Sequence, residues 1–288
     1  MTPRMLSILG LILAAVFVSA PAEQPVGTEE IRWATYNIAG LNGWHRRQDD
    51  RENQFERARA MGRAMRTWNA TVIGLQELPR DEELQGAIRE GMGPDWNLRA
   101  LPINASPETL RTVGVLWRVD CVAWSAVVPV DERMPTYWGA ADLVVDGLAW
   151  RVHVGKLSPG QTEAAALKRL SETKKLSSLL RRDRQKQHER VVILADLNAA
   201  LAEASLVRLL SDGWKDALEG SPAARIATKH DRGEETYRRR LDYILIPREL
   251  AGSTANGTVV RDVGFALPLR GMVEPWSDHQ PVWVDWVP

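Results

Sequence analysis

Apolar runs of strand length, some continuous and some alternating with polar residues, recur along nearly the whole chain, whereas helical periodicity is confined to four places. Period-two or continuous apolar character predicts strands at Arg32–Ile38, Thr71–Gln76, Asn97–Pro102, Val113–Val119, Val122–Val130, Ala141–Val145, Ala149–Val154, Val191–Ala195, Leu241–Ile246, Val259–Ala266 and Pro281–Trp286. Helices are predicted at Arg51–Trp68, where Phe55, Ala58, Met65 and Trp68 share a face, and at Glu82–Glu90, Thr162–Arg184 and Ser205–Leu210. A strand-rich order with helices after several strands suits two packed sheets flanked by helices. No Pro/Gly/Ser-rich linker interrupts the pattern, so residues 31–288 read as one domain behind a short lead at 23–30.

The pattern differs at the start. Arg4, the apolar stretch Met5–Val18 and the small residues Ser19-Ala20-Pro21-Ala22 predict a signal peptide over 1–22, cleaved before Glu23. The apolar stretch is shorter than the ~20 residues of a spanning helix. The expectation is a secreted or periplasmic protein with no membrane span after cleavage. The single cysteine, Cys121, excludes an intramolecular disulfide, and its apolar surroundings predict a small buried hydrophobe.

Basic and acidic residues balance at 37 each, and loss of Arg4 leaves the mature chain at minus one. A strong, indiscriminate field for nucleic acid is therefore excluded, although a local stripe is not. The basic stretch Lys168–Arg190 carries Leu167, Leu170, Leu176, Leu179 and Leu180 at helical spacing, which predicts a helix with a solvated basic face.

Chemistry gathers at the ends of the apolar runs. Asn37 follows Trp33-Ala34-Thr35-Tyr36, Glu77 follows Val72-Ile73-Gly74-Leu75-Gln76, and Asp196 and Asn198 follow Val191-Val192-Ile193-Leu194-Ala195. Asp242 interrupts the alternation of Arg240–Ile246, and Ser277-Asp278-His279 precedes the last strand. Singly each has an ordinary explanation: a turn-forming Asn, a polar strand terminus, an Asx-turn. Together they form an oxygen-donor and general-base constellation suited to phosphate-ester hydrolysis. If the backbone stays extended, the i, i+2 spacing puts Asp196 and Asn198 on one side. A buried Asp242 needs a partner, and His279 supplies one.

In this order, Tyr36-Asn37-Ile38, Leu75-Gln76-Glu77, Asp196-Leu197-Asn198, Arg240-Leu241-Asp242-Tyr243 and Ser277-Asp278-His279 resemble the endonuclease/exonuclease/phosphatase superfamily from about Ile31 to Val287. The resemblance implies an α/β, DNase I-like, four-layer sandwich of two packed mixed β-sheets flanked by helices. It implies Mg²⁺ or Mn²⁺ held by Glu77, with Asn37 and Asp278 nearby. Asp196 would orient or deprotonate water, Asn198 would bind phosphate, and Asp242 would fix the His279 imidazole. Ala195 stands where the family usually has Gly.

One position departs from the family pattern. Where many members carry a histidine at the end of a central strand, this chain has Lys156, and His153 three residues earlier reads as an ordinary strand residue. Lys156 would neutralise a phosphate oxygen as a point charge. His45, His188 and His230 read as surface residues, the 40–50 loop as a rim of the cleft, and the strand tryptophans as packing. The expected activity is a metal-dependent phosphodiesterase of nuclease type, acting as a monomer on a phosphate ester, nucleic acid among the candidates. Alternatives are a phosphomonoesterase for inositol or sugar phosphates, a sphingomyelinase-type lipase, and a binding module that kept the fold without turnover.

Overall fold

The computed structural model describes residues 30–38, 51–185, 190–230, 237–259 and 277–287. The expected signal peptide, the 40–50 loop with His45, and His188 lie outside the described residues, as do the His230 side chain and all but the first residue of the strand expected at 259–266.

Runs that are apolar on both faces become central strands. In the first sheet β1 (Ile31–Asn37) lies parallel to β2 (Val72–Pro79), and β4 (Arg111–Arg118) and β3 (Trp96–Leu101) continue beyond β2. On the other side of β1 stand β14 (Val282–Trp286) and β13 (Thr254–Val259). The second sheet repeats the plan around the parallel pair β7 (Leu148–Lys156) and β8 (Val191–Asp196). β6 (Tyr137–Val145) and β5 (Val122–Val128) flank β7, while β12 (Asp242–Pro247) and β9 (Trp214–Asp216) follow β8. A two-stranded ribbon pairs β10 (Lys229–His230) with β11 (Tyr237–Arg239).

Side-chain alternation sorts the sheets into layers. From β1, Ile31 and Trp33 enter the core between the sheets, and Ala34, Tyr36 and Ile38 face α1 (Arg51–Arg66) and α2 (Glu82–Met92). From β8, Val192 and Leu194 enter the same inter-sheet core, and Val191, Ile193 and Ala195 face the side of α3 (Glu163–Gln185) and α4 (Ala204–Ser211). The result is the expected four-layer sandwich. Trp33 of one sheet and Trp150 of the other meet with ring centroids 4.8 Å apart, a contact of about 0.5–1.5 kcal/mol beyond area burial. Gly74 lets the sheets close here, since a Cβ on it would lie 2.6 Å from Leu194 Cβ.

The helices have ordinary local causes. Asp81 caps α2 by accepting from the Glu83 and Leu84 amides at 3.1 Å, and Gly93 ends it at φ 97°. On α3 the exposed Lys168, Lys174, Lys175 and Arg181 form the solvated basic face. Two expectations for this helix are corrected. Leu167 is exposed, and Arg169 is buried, its guanidinium bidentate to Glu203 at 2.6 and 2.8 Å and donating to the Ser158 and Gly160 carbonyls. Cys121 is half-buried against the inter-sheet core, and burial raises its thiol pKa to about 12. No described helix is long and apolar enough to cross a membrane.

Candidate active site

The inter-sheet face that carries the core residues ends, at one edge, in polar ones. Asn37 continues the face of Ile31, Trp33 and Thr35; Asp196 that of Val192 and Leu194; Lys156 that of Val152 and Val154; Asp242 that of Ile244 and Ile246. Register aligns them. Asn37 stands opposite Gln76, and Asp196 lies between Lys156 and Asp242 on its two neighbouring strands. These are the carboxyl ends of both parallel pairs, the edge at which α/β sheets hold ligands.

Glu77 reaches this edge differently. Gln76 takes the inward position, where its amide donates to the Leu194 carbonyl and to Thr35 Oγ1 at 3.0 Å each and so joins the two sheets. Regular pleating would turn Glu77 toward the helices. Instead the β2/β4 register shifts between Leu75 and Leu78, and Glu77 adopts φ 57°, a left-handed conformation that costs about 1–3 kcal/mol in a non-glycine residue. Its carboxylate thereby comes to lie 3.4 Å from Asn37 Nδ2 and against Lys156, while Arg111 takes its second oxygen.

The centre is dense with paired charge. Asn37 Nδ2 donates to Asp196 Oδ2 at 2.8 Å, and Lys156 Nζ lies 3.3 Å from the same oxygen. Burial alone would raise the Glu77 and Asp196 pKa values, but the cations and donors together outweigh it: Lys156 and Arg111 at Glu77, and Lys156, His279 and the Asn37 amide at Asp196. Both carboxyls are held below their ordinary range and stay ionised. Lys156 is pushed up in turn, its burial outweighed by Asp196 and Glu77.

Asn198 corrects one expectation. The strand stops at Asp196, and Asn198 has φ 50°, so a turn and not an extended strand brings it alongside. Asp196 Oδ1 accepts from the Asn198 amide at 3.0 Å, an Asx-turn, while Asn198 Nδ2 donates to the Leu157 carbonyl at 3.0 Å and to Asp196 Oδ2 at 3.2 Å.

His279 completes the edge. Its Nδ1 lies 2.8 Å from Asp242 Oδ2, which also accepts from Thr228 Oγ1 at 2.6 Å. Ser277 Oγ donates to the Asn37 carbonyl at 2.6 Å and accepts from the His279 amide at 3.0 Å, tying this segment to the end of β1. The Nε2 end faces Asn37 Nδ2 at 3.5 Å, Asp196 Oδ2 at 3.8 Å, Asp278 Oδ1 at 3.8 Å and Lys229 Nζ at 3.1 Å. Burial would lower the imidazole pKa, but Asp242 and Asp196 raise it above its ordinary value. Burial, reinforced by Asp196, raises that of Asp242 despite the His279 contact. Asp278 pairs with Lys229; burial opposes, and His279 and Lys229 keep it below the ordinary range.

All eight expected residues therefore fall at one edge, with Asp278 at the Nε2 end of the ring. His153 lies elsewhere, on the opposite face of β7, accepting from Trp138 Nε1 at 3.2 Å and facing Asp183. The sequence reading passed over Arg111, Thr228 and Lys229. Arg111 could have been found as a charge heading the apolar run Thr112–Trp117; Thr228 and Lys229 sit in a short polar stretch with no periodic signal.

Among the described residues, two donor sets are candidates for a metal. Asp196, Asp242 and His279 offer atoms within 4.8 Å of one another, but His279 Nδ1 is already engaged by Asp242, so this set reads as a relay. Glu77, the Asn37 carboxamide and Asp278 supply hard oxygen donors with ionised carboxylates, which fits a Mg²⁺-like ion in kind.

The model of the endonuclease/exonuclease/phosphatase family matches residues 34–279, from β1 through His279. The chain belongs to that family. No curated protein matches it. Among solved structures, this family member is similar to a mannosyl-6-phosphatase from Bacteroides thetaiotaomicron at 14% identity, with 89% of this chain and 99% of the other covered and a TM-score of 0.71. It is also similar to truncated TDP2 from Caenorhabditis elegans, at 16% identity over 90% and 98% of the two chains with a TM-score of 0.65. A D. rerio TDP2 complexed with a single-strand DNA product covers 90% and 100% at 16% identity and a TM-score of 0.63. At these identities the likeness establishes the fold.

Proposed function

We propose that this member of the endonuclease/exonuclease/phosphatase family is an exported, divalent-metal-dependent phosphoesterase with a phosphodiester as its substrate. The observation that carries the reading is the convergence of Asn37, Glu77, Lys156 and Asp196 with the Asp242–His279 pair at the carboxyl ends of both parallel strand pairs. Glu77, with Asn37 and Asp278, would hold Mg²⁺ or Mn²⁺, which supplies Lewis-acid polarisation of a phosphoryl oxygen when bound. Asp196, ionised and beside His279 Nε2, accepts a proton from water or orients it for in-line attack. Asp242 holds Nδ1, leaving Nε2 to exchange a proton at the reacting group. Asn198 and Lys156 offer donors to the developing negative charge. Export rests on residues 1–22.

A second reading, a phosphomonoesterase for sugar or inositol phosphates, has its own support. Beside Asn198 opens a cavity of about 240 Å³ lined by Gln161, Thr162, Glu203 and Arg239, with no aromatic among the described residues of its walls. Those described walls offer a hydroxyl-rich group amide, hydroxyl and charged partners and offer a nucleobase no aromatic face. The test incubates chain beginning at Glu23 with bis-p-nitrophenyl phosphate, p-nitrophenyl phosphate and hexose phosphates in Mg²⁺, Mn²⁺ or EDTA, with His279→Ala as control. Metal-dependent diester cleavage lost in the variant is expected. Turnover of monoesters alone favours the second reading, and no turnover of any ester overturns both.

A further inference from the structure

The ammonium of Lys156 sits where the oxygen donors converge. It contacts Glu77 Oε1 and lies 3.3 Å from Asp196 Oδ2, and those two carboxylates are the ones bridged by Asn37 Nδ2 at 3.4 and 2.8 Å. Arg111 holds the other Glu77 oxygen, so both oxygens of the principal metal candidate already face a cation. The Lys156 backbone is fixed, in register with Tyr137 on one side and Asp196 on the other. Its charge is not fixed, because a four-carbon stem can swing the ammonium by several ångströms. A dication cannot share Glu77 Oε1 with an ammonium in contact with it; one must leave. A phosphate group entering this edge offers Lys156 a new anionic partner within the same sweep.

We propose that Lys156 is a resident counter-ion of the metal site, that a divalent ion binds by displacing it from Glu77, and that an arriving phosphate group promotes the exchange by taking the ammonium over. Metal and phosphate then bind with positive coupling, each strengthening the other by the same factor. This rests on reading the cleft as a metal-dependent phosphoesterase, and it gives the substitution of lysine for the family's usual histidine a role in the order of assembly.

The test counts bound Mn²⁺ from the electron paramagnetic resonance signal of the free ion, using chain beginning at Glu23 with and without inorganic phosphate. For the unaltered protein, phosphate should tighten Mn²⁺ binding about tenfold or more, within the usual range of such couplings. Lys156→Met, which keeps the stem and removes the charge, should bind Mn²⁺ about tenfold more tightly than the unaltered protein without phosphate, and phosphate should then add less. Lys156→Gln should follow Lys156→Met, and circular dichroism with a cooperative melt confirms folding of each. Glu77→Gln should abolish the binding.

Three results each overturn the proposal: no effect of phosphate on the unaltered protein, equal coupling in the lysine variants, or undiminished Mn²⁺ binding in Glu77→Gln. The first needs no variant at all. Hydrolysis is measured separately, so a protein that shows the coupling but turns over no ester refutes the proposed activity and leaves the counter-ion role standing.

Discussion

Asp242→Asn separates the catalytic contribution of one buried carboxylate from its structural one. Asp242 Oδ2 accepts from Thr228 Oγ1 at 2.6 Å and holds His279 Nδ1 at 2.8 Å, while Oδ1 is buried with no hydrogen-bond partner among the described residues. An amide that keeps its carbonyl oxygen on Thr228 and His279 Nδ1 still holds the ring, but it no longer carries the charge that stabilises the imidazolium formed when Nε2 takes a proton. In the serine-protease triad the corresponding Asp→Asn change costs about 10⁴ in kcat, an upper bound here because that loss includes a change of tautomer. Here a loss of about 10³–10⁴ in kcat is expected, equivalent to about 4–5.5 kcal/mol of barrier. Stability should respond little, because two effects oppose. Removing the charge relieves a carboxyl that burial and Asp196 hold above its ordinary range, whereas the new NH₂ at the Oδ1 position is buried without an acceptor. Each is worth about 1–3 kcal/mol, so the net change in Tm should stay within about 4 °C. The assay pairs kcat on the better phosphate ester with calorimetric melting. Activity retained within about tenfold would show that the Asp242–His279 contact orients no catalytic group, and a collapse of Tm in step with activity would make the carboxylate structural.

Other outcomes follow from the same geometry. Glu77→Gln leaves Lys156 and Arg111 facing a neutral amide and should cut metal-dependent turnover by about 10² or more, within the range for loss of a transition-state charge contact, measured at the Mn²⁺ concentration that saturates the unaltered protein. Gly74→Val forces side-chain atoms into the gap where even a Cβ lies 2.6 Å from Leu194 Cβ and 3.2 Å from Val154 Cγ2; a loss of about 1–3 kcal/mol is expected in urea unfolding, and an unchanged midpoint would show that the sheets can separate without penalty. His153 is fully buried 3.2 Å from Asp183 but out of line for a hydrogen bond, and burial holds its pKa below 6.5 despite that carboxylate. The unfolded chain therefore binds the proton first, so this contribution to stability is complete above pH 6.5 and declines as pH falls through the folded pKa. Urea midpoints for His153→Gln should fall less than those of the unaltered protein between pH 7 and pH 5, and parallel curves would refute the assignment.

Much of this molecule could be read from hydrophobic periodicity because its sheets are buried on both faces and its helices on one. The helices appear within about two residues of their expected ends, and one strand of each parallel pair, β2 and β8, comes from a continuous apolar run. The short β9, β10 and β11 were missed because two or three residues carry no period. β6 starts four residues before the expected Ala141, at Tyr137-Trp138-Gly139-Ala140. Gly139 weakens the strand signal there, yet a Cβ on it would lie 2.7 Å from Leu101 Cβ, so the glycine marks close packing and not a turn. β13 lies at Thr254–Val259 and meets the expected strand only at its last residue, because Gly257 and Asn256 read as turn residues.

The site was legible for a related reason, with one exception that is informative. Asn37, Lys156, Asp196 and Asp242 occupy positions that strand parity alone assigns to the space between the sheets, so identifying the strands nearly fixed where their side chains would go. Glu77 does not: parity points it at α1 and α2, and only a register shift with a left-handed backbone brings it round to Lys156 and Arg111. No periodicity can announce such a bulge, because it is a violation of period. The same shift brings Leu75 and Leu78, three residues apart and so on opposite faces of a regular strand, both into the helix-facing core. A left-handed backbone that costs stability and aims a carboxylate into a charged cleft is the kind of strain that gathers at functional sites. It makes Glu77, not the better clustered Asp196–Asp242–His279 trio, the residue on which metal dependence should turn.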